Sequence, residues 1–216
     1  MRVAVLSGRD LDDFPQAVLA PLLRRNRHTV VGCPIDARLL PSLPKRLWRN
    51  RPGGHGGYVV VIAATLALRR HRATVQAEEL LLCHGVPAQT TDDPYAHAAR
   101  DGLRQAGPDV VLLIGGIGPP LLSGAPYGVL SHHHGDLRRS RGQPPAFWEL
   151  YNGEPELGPT VQRLSKALDA GEPIVEHRVR IDPGGALRTL QHRAFADSAG
   201  MLFDAGSPCR AGWPSR

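Results

Sequence analysis

The sequence predicts an α/β domain with one mostly parallel central sheet and helices on both faces. Residues 2–6 (RVAVL) and 29–33 are short β-branched runs, and 14–25 between them repeats Phe14, Val18, Leu19 and Leu22 at helical spacing. Strand, helix, strand in so short a length is a βαβ unit, and that unit implies parallel pairing. Residues 110–114 (VVLLI) are the most strand-like run and are expected at the sheet's centre.

A chain of 216 residues fits one domain, expected over residues 1–205 with a flexible tail at 206–216 that has no apolar period. Hydrophobic content of 42% allows a packed core, and the aromatic fraction of 5% makes that core aliphatic. The longest mainly apolar run, residues 58–68, is too short to span a bilayer. At the N-terminus, Asp10, Asp12 and Asp13 follow the first apolar run, which is not a signal-peptide pattern, so a cytoplasmic protein is expected. Three cysteines with no metal-type spacing argue against a disulfide framework; Cys33 and Cys83 read as core thiols and Cys209 as a tail thiol. The net charge of +6 points to an acidic partner, either nucleic acid or a polyanionic small molecule.

Taken in order, the strand at 2–6 ends at Ser7-Gly8. The loop 7–10 lies where a nucleotide fingerprint would, but it lacks the glycine pattern, which excludes a dinucleotide site. Arg24 and Arg25 suit the last turn of the first helix, and Pro34 is expected to end the strand at 29–33. Lys45, Arg46, Arg49 and Arg51 surround Leu47 and Trp48, a basic loop or entry helix that could shape an acceptor or acidic-tail site. Residues 58–68 tilt towards helix by alanine content, 75–84 read as a helix stopped by Gly85, and 86–90 as an edge strand. A helix at 92–105 would start on Asp92 and Asp93. The loop 115–120 (GGIGPP) permits close backbone approach through its glycines and is stiffened by Pro119 and Pro120. Residues 144–150 suit a helix with proline in its first turn, with Phe147 and Trp148 as core residues. A strand at 161–164, a turn at 168–171 and a half-buried strand at 174–181 follow; the turn 182–185 leads to a last helix reaching about 203.

The stretch with the densest chemistry is 128–142. Gly128-Val129-Leu130 finishes an apolar run, so Ser131 to Asp136 are expected at a strand's carboxyl end, where open α/β sheets present their reacting groups. If the segment is extended, His132 and His134 point away from His133. His132, His134 and Asp136 would then share a face and could hold zinc or iron, but no fourth ligand is evident and no metal is assigned.

Residues 128–175 resemble the core of the folate-dependent formyltransferase family, whose pattern runs Gly-x-x-Asn-x-His-x-Ser-Leu-Leu-Pro-x-x-Arg-Gly. The family histidine falls on His133, Arg141-Gly142 match, Gly158-Pro159-Thr160 matches Gly-x-Thr, and Leu168-Asp169-Ala170-Gly171 matches Leu-Asp-x-Gly. Ser131 replaces the family asparagine, and Gly135-Asp136-Leu137-Arg138 replaces Ser-Leu-Leu-Pro. The resemblance implies a Rossmann-like domain that moves a formyl group from 10-formyltetrahydrofolate, its co-substrate, to a small amine (an amino sugar, amino acid or secondary-metabolite amine). It implies that His133 and Ser131 contact the formyl oxygen and that Asp169 orients His133 and helps move protons. Gly115, Gly116, Ile117 and Gly118 would lie against the folate ring, with Leu168, Ala170 and Gly171 completing the cofactor pocket. Formyl-folate hydrolysis, with water as acceptor, and a degenerate folate- or anion-binding module are the alternatives. No stretch could form the C-terminal barrel of the relative that formylates initiator tRNA, so nucleic acid is not an expected partner; a homodimer is compatible with the sequence.

Overall fold

The computed structural model describes residues 1–24, 28–36, 74–93, 96–114, 125–139, 145–165 and 171–201. The expectations for residues 41–73, for Gly115, Gly116, Ile117 and Gly118, for Arg141-Gly142, for Leu168, Asp169 and Ala170, and for the tail lie outside them.

The apolar runs form the sheet. Its strands are β1 (Arg2–Gly8), β3 (Thr29–Asp36), β5 (Ala88–Thr91), β6 (Val110–Ile114), β7 (Val129–His133), β9 (Thr160–Arg163) and β10 (Glu172–Glu176). Their spatial order is β10-β9-β7-β6-β1-β3-β5. From β5 to β7 every neighbouring pair is parallel, whereas β9 runs antiparallel to both β7 and β10. The order reverses between β1 and β6, which is the switch point where open α/β sheets form a ligand crevice. Two short ladders complete the strands: β2 (Asp10–Leu11) with β4 (Val75–Gln76), and β8 (Glu156–Leu157) with β11 (Val179–Arg180).

Alternation along the strands sorts the side chains to two faces. Val3, Val5, Leu112, Leu130 and Val161 pack with Phe14, Val18 and Leu19 of α1 (Asp13–Arg24) and with Leu81 of α2 (Ala77–Leu82). Ala4, Leu6, Val111, Leu113 and Val129 pack on the other face with Leu103 of α3 (His97–Ala106). Helices therefore cover both faces, as expected. Every residue of β6 is buried, and each of these Val, Leu and Ile side chains contributes roughly 1.5–3 kcal/mol by leaving water. The remaining helices among the described residues are α4 (Phe147–Tyr151) and α5 (Leu187–Ser198). No helix among the described residues is long and apolar enough to cross a membrane.

Several boundaries differ from the sequence expectation. β3 continues through Pro34, which pairs with Gln89 of β5. The helix expected over 75–84 gives up Val75 and Gln76 to a strand against β2. α3 starts at His97 rather than at Asp92, because the Asp93 amide donates to Thr91 Oγ1 and Pro94 disfavours a helical residue before it. α4 starts at Phe147 because Ala146 is left-handed, with φ of 63°. Phe147 and Trp148 are half-buried rather than core, and the buried residue of α4 is Glu149. Cys83 is exposed in the turn after α2, not a core thiol. The strand expected over 174–181 is two strands, broken at His177-Arg178, where the chain passes from β10 to β11.

Candidate functional site

β7 was expected to stop at Leu130, but it continues through Ser131, His132 and His133. The reason is long-range: Ser131, His132 and His133 pair with Gln162, Val161 and Thr160 of β9, which supplies the hydrogen-bonding partner that the local sequence does not announce. Directly opposed residues of an antiparallel pair share a face. Ser131, His133, Gln162 and Thr160 therefore line one face of the sheet, and His132 lies on the other, as the spacing required. Thr160 Oγ1 lies 3.0 Å from Gly158 O and 3.3 Å from Gly135 O, so this hydroxyl is committed to backbone carbonyls.

The opposite face is an aromatic cage. The His132 ring lies 4.6 Å from Phe14 and 4.7 Å from His134, and His134 lies 4.9 Å from both Phe14 and Phe195. Ser198 Oγ donates to Ala194 O on its own helix, so its lone pair faces His132 Nε2 at 3.0 Å. Nε2 therefore carries the proton, and Nδ1, buried without a hydrogen-bond partner, is the bare nitrogen of a neutral ring. Burial, followed by the neighbouring His134 and His133, holds the His132 pKa well below the ordinary imidazole value. Sequence reasoning missed Ser198, whose importance comes only from the docking of α5 against β7.

Asp136 leaves the histidine set altogether. It is buried, 5% exposed, with its carboxylate 3.0 Å from Arg178 Nη1 and accepting the Arg138 backbone N–H at 2.9 Å. The Arg138 side chain reaches Glu176 at 2.8 Å. Among the described residues, no three His, Cys, Asp or Glu side chains are placed to hold a metal ion. A cavity of about 460 Å³ opens beside Asp136, walled by Arg138, Arg139, Glu154 and Arg178. Its charges answer one another, since Arg139 also pairs with Glu154 at 3.0 Å.

Of the residues assigned to the co-substrate, Gly171 is described. It starts the return from segment 166–170 into β10, pressed against β9. A Cβ there would run into Gln162 Oε1 and come within 2.7 Å of Arg163 O, so only glycine fits. Gln162, in turn, is the register partner of Ser131. The structure thus places Ser131 and His133 on β7 and packs Gly171 against the partner strand β9.

Residues 53–204 match the formyl transferase family. The chain is 30% identical over 138 residues to the methionyl-tRNA formyltransferase of Pelobacter propionicus, covering 62% of this chain and 43% of that protein. It therefore spans less than half the length of that relative. Among solved structures, glycinamide ribonucleotide transformylase 1 from Symbiobacterium toebii matches with a TM-score of 0.62 at 21% identity, over 95% of this chain and 85% of that one. A formyltetrahydrofolate deformylase from Pseudomonas syringae matches with a TM-score of 0.62 at 19% identity, over 97% of this chain and 60% of its own. These likenesses fix the fold. The family match covers well over half of the chain and runs through β6, β7, β9 and β10, and on that ground the chain belongs to the formyl transferase family.

Proposed function

We propose that this chain is an N-formyltransferase that moves a formyl group from 10-formyltetrahydrofolate to a small-molecule amine. The observation that carries the reading is the placement of Ser131 and His133 on one face of β7, inside the family match and opposite β9. The amine nitrogen attacks the formyl carbon, and the carbonyl electron pair moves to oxygen. Collapse of that intermediate breaks the bond to the folate nitrogen, which takes up the proton the amine gives away. An oxyanion and a mobile proton both need partners. His133 would meet the formyl oxygen and relay the proton, Asp169 would orient His133, and the Ser131 hydroxyl would donate to the oxyanion. The Gly115 to Gly118 loop and Leu168, Ala170 and Gly171 would hold the folate ring. The likeness to glycinamide ribonucleotide transformylases over nearly the whole chain favours a small acceptor.

Calorimetric titration with a non-hydrolysable 10-formyltetrahydrofolate analogue tests the reading. Wild type, His133→Ala and Asp169→Ala are expected to bind saturably, while both variants lose at least a hundredfold in turnover with a panel of amino sugars and amino acids. No saturable heat at millimolar analogue overturns the folate assignment. Consumption of the formyl donor that yields formate and no formyl-amine identifies a hydrolase instead.

A further inference from the structure

We infer that the cavity beside Asp136 is the acceptor's pocket and that the acceptor is a free amino acid, bound as its dipolar ion; the inference rests on the formyl-transfer reading above. The cavity's volume of about 460 Å³ suits a small molecule. Its wall holds the guanidiniums of Arg138, Arg139 and Arg178 and the carboxylates of Asp136, Glu149, Glu154 and Glu156. The turn that carries Asp136 leaves the carboxyl end of β7. Asp136 follows His133 by three positions, so their Cα atoms lie within about 11 Å of each other.

The orientation of α4 gives the cavity a purpose. This helix buries its acid and leaves its rings outside: Glu149 is 4% exposed, Tyr151 is 74% exposed, and Phe147 and Trp148 are half-buried. Burying a carboxylate is costly, whereas burying an aromatic ring is favourable, so stability alone would turn the helix the other way. The chain before it fixes the rotation. Ala146, the only non-glycine residue with positive φ among the described residues, packs with Leu157, Val179 and Leu190, and Pro145 O accepts a hydrogen bond from Gln191 Nε2 at 2.8 Å. Left-handed backbone of this kind is strained and gathers where a site requires it. Here it sets a buried acid in the cavity wall.

The charges of the wall select the ligand. Arg138 and Arg139 are 62% and 66% exposed, and each gives one nitrogen to a carboxylate, Glu176 and Glu154. Surface pairs of that kind are weak, and the guanidinium forks keep further N–H donors that match a ligand carboxylate. Glu149 and Glu156, in the same wall, suit an ammonium. Four carboxylates against three guanidiniums disfavour a phosphate or any multiply charged anion. A simple amine, in turn, would leave the forks of Arg138 and Arg139 unused. A molecule with one carboxylate and one ammonium answers both sets. The ammonium loses one proton to water, and the free amine then attacks with the bond and proton changes already given.

The test is calorimetric titration of wild type, Glu149→Gln and Arg139→Met with a panel of the common amino acids, glucosamine and inorganic phosphate, followed by the amide and the N-acetyl derivative of the amino acid that binds best. Wild type is expected to bind at least one free amino acid saturably, and its amide and N-acetyl derivative at least about tenfold more weakly, since each lacks one of the two charges. Glu149→Gln and Arg139→Met should each weaken that binding at least about tenfold and raise KM for the amino acid to match, with KM for 10-formyltetrahydrofolate changed less than threefold and the melting temperature held. Arg139 is exposed, so its variant decides the matter even where Glu149→Gln folds poorly. No saturable binding of any amino acid, glucosamine or phosphate binding as tightly, or both variants within threefold of wild type overturns the pocket, and formylation of another amine would still stand. Binding of the amino acid with no formyl product from any amine overturns the formyl-transfer reading and the acceptor role with it.

Discussion

A neutral imidazole at position 132 is what its surroundings demand. Phe14 lies against the ring and His134 beside it, while Ser198 Oγ accepts a hydrogen bond from the one ring N–H. A second proton would place a cation in a buried site beside two further imidazoles, which is why the folded pKa is lowered. In the unfolded chain the ring titrates near its ordinary value of 6.5. Above that pH both states are neutral and the full stability is present. Below it the unfolded state binds a proton that the folded state refuses, so stability falls as pH drops from 6.5 towards the lowered folded value. One such proton is worth up to about 1.4 kcal/mol per pH unit. Urea unfolding at pH 7.5 and 5.5 should therefore show wild type losing about 1 kcal/mol more than His132→Leu between the two conditions. Equal losses would mean that His132 takes its proton without resistance.

At the scale of elements, the turn after β7 is fastened to the β10–β11 break by Asp136 and Arg178. Burial by itself would raise the Asp136 carboxyl; the Arg138 amide and the Arg178 guanidinium more than offset it, and the pKa falls below 3.8. The pair's stabilisation is thus complete above about that value and is lost as pH falls through the folded one. Gly158 makes the pair possible, since a Cβ there would lie 2.8 Å from Arg178 Nη1 and 3.1 Å from Asp136 Cβ. Gly158→Ala and Arg178→Met should each cost about 2 kcal/mol, the usual loss of a hydrogen bond to a charged group, and the double variant clearly less than their sum. A strictly additive cycle in urea unfolding would show that Gly158 serves another purpose. This fastening also marks the limit of what sequence discloses. β1 and β6 announce themselves because strands buried on both faces are apolar throughout. Ser131 and His133 stand out as candidates by their spacing within a motif that resembles the family's. The last three residues of β7, the break at His177-Arg178 and the place of Gln162 do not, because each is decided by a partner strand or side chain distant in the chain.

For the molecule as a whole, the strand order places the site between a protected centre and an exposed margin. β1 and β6 are paired on both sides and buried on both faces, whereas β5 and β10 are edge strands with largely exposed side chains. Local opening is governed by how much burial and pairing must be given up, so exchange of backbone amides should be graded across the sheet. Amides of β1 and β6 are expected to exchange only through global unfolding, and those of β10 at least about a hundredfold faster through sub-global opening. β7 pairs with β6 on one side and β9 on the other, so Ser131 and His133 should stand on the slow side of this gradient, with Gln162 and Gly171 progressively nearer the fast side. Such a gradient would leave the strand that carries His133 held more firmly than the strands at the β10 margin. Hydrogen exchange read by mass spectrometry, with and without a folate analogue, would resolve the point. Protection that rises in β9 and β10 while β1 and β6 stay unchanged is the expected result. Uniform exchange across the seven strands would show that the sheet opens as one unit and that the site gains nothing from its place near the edge.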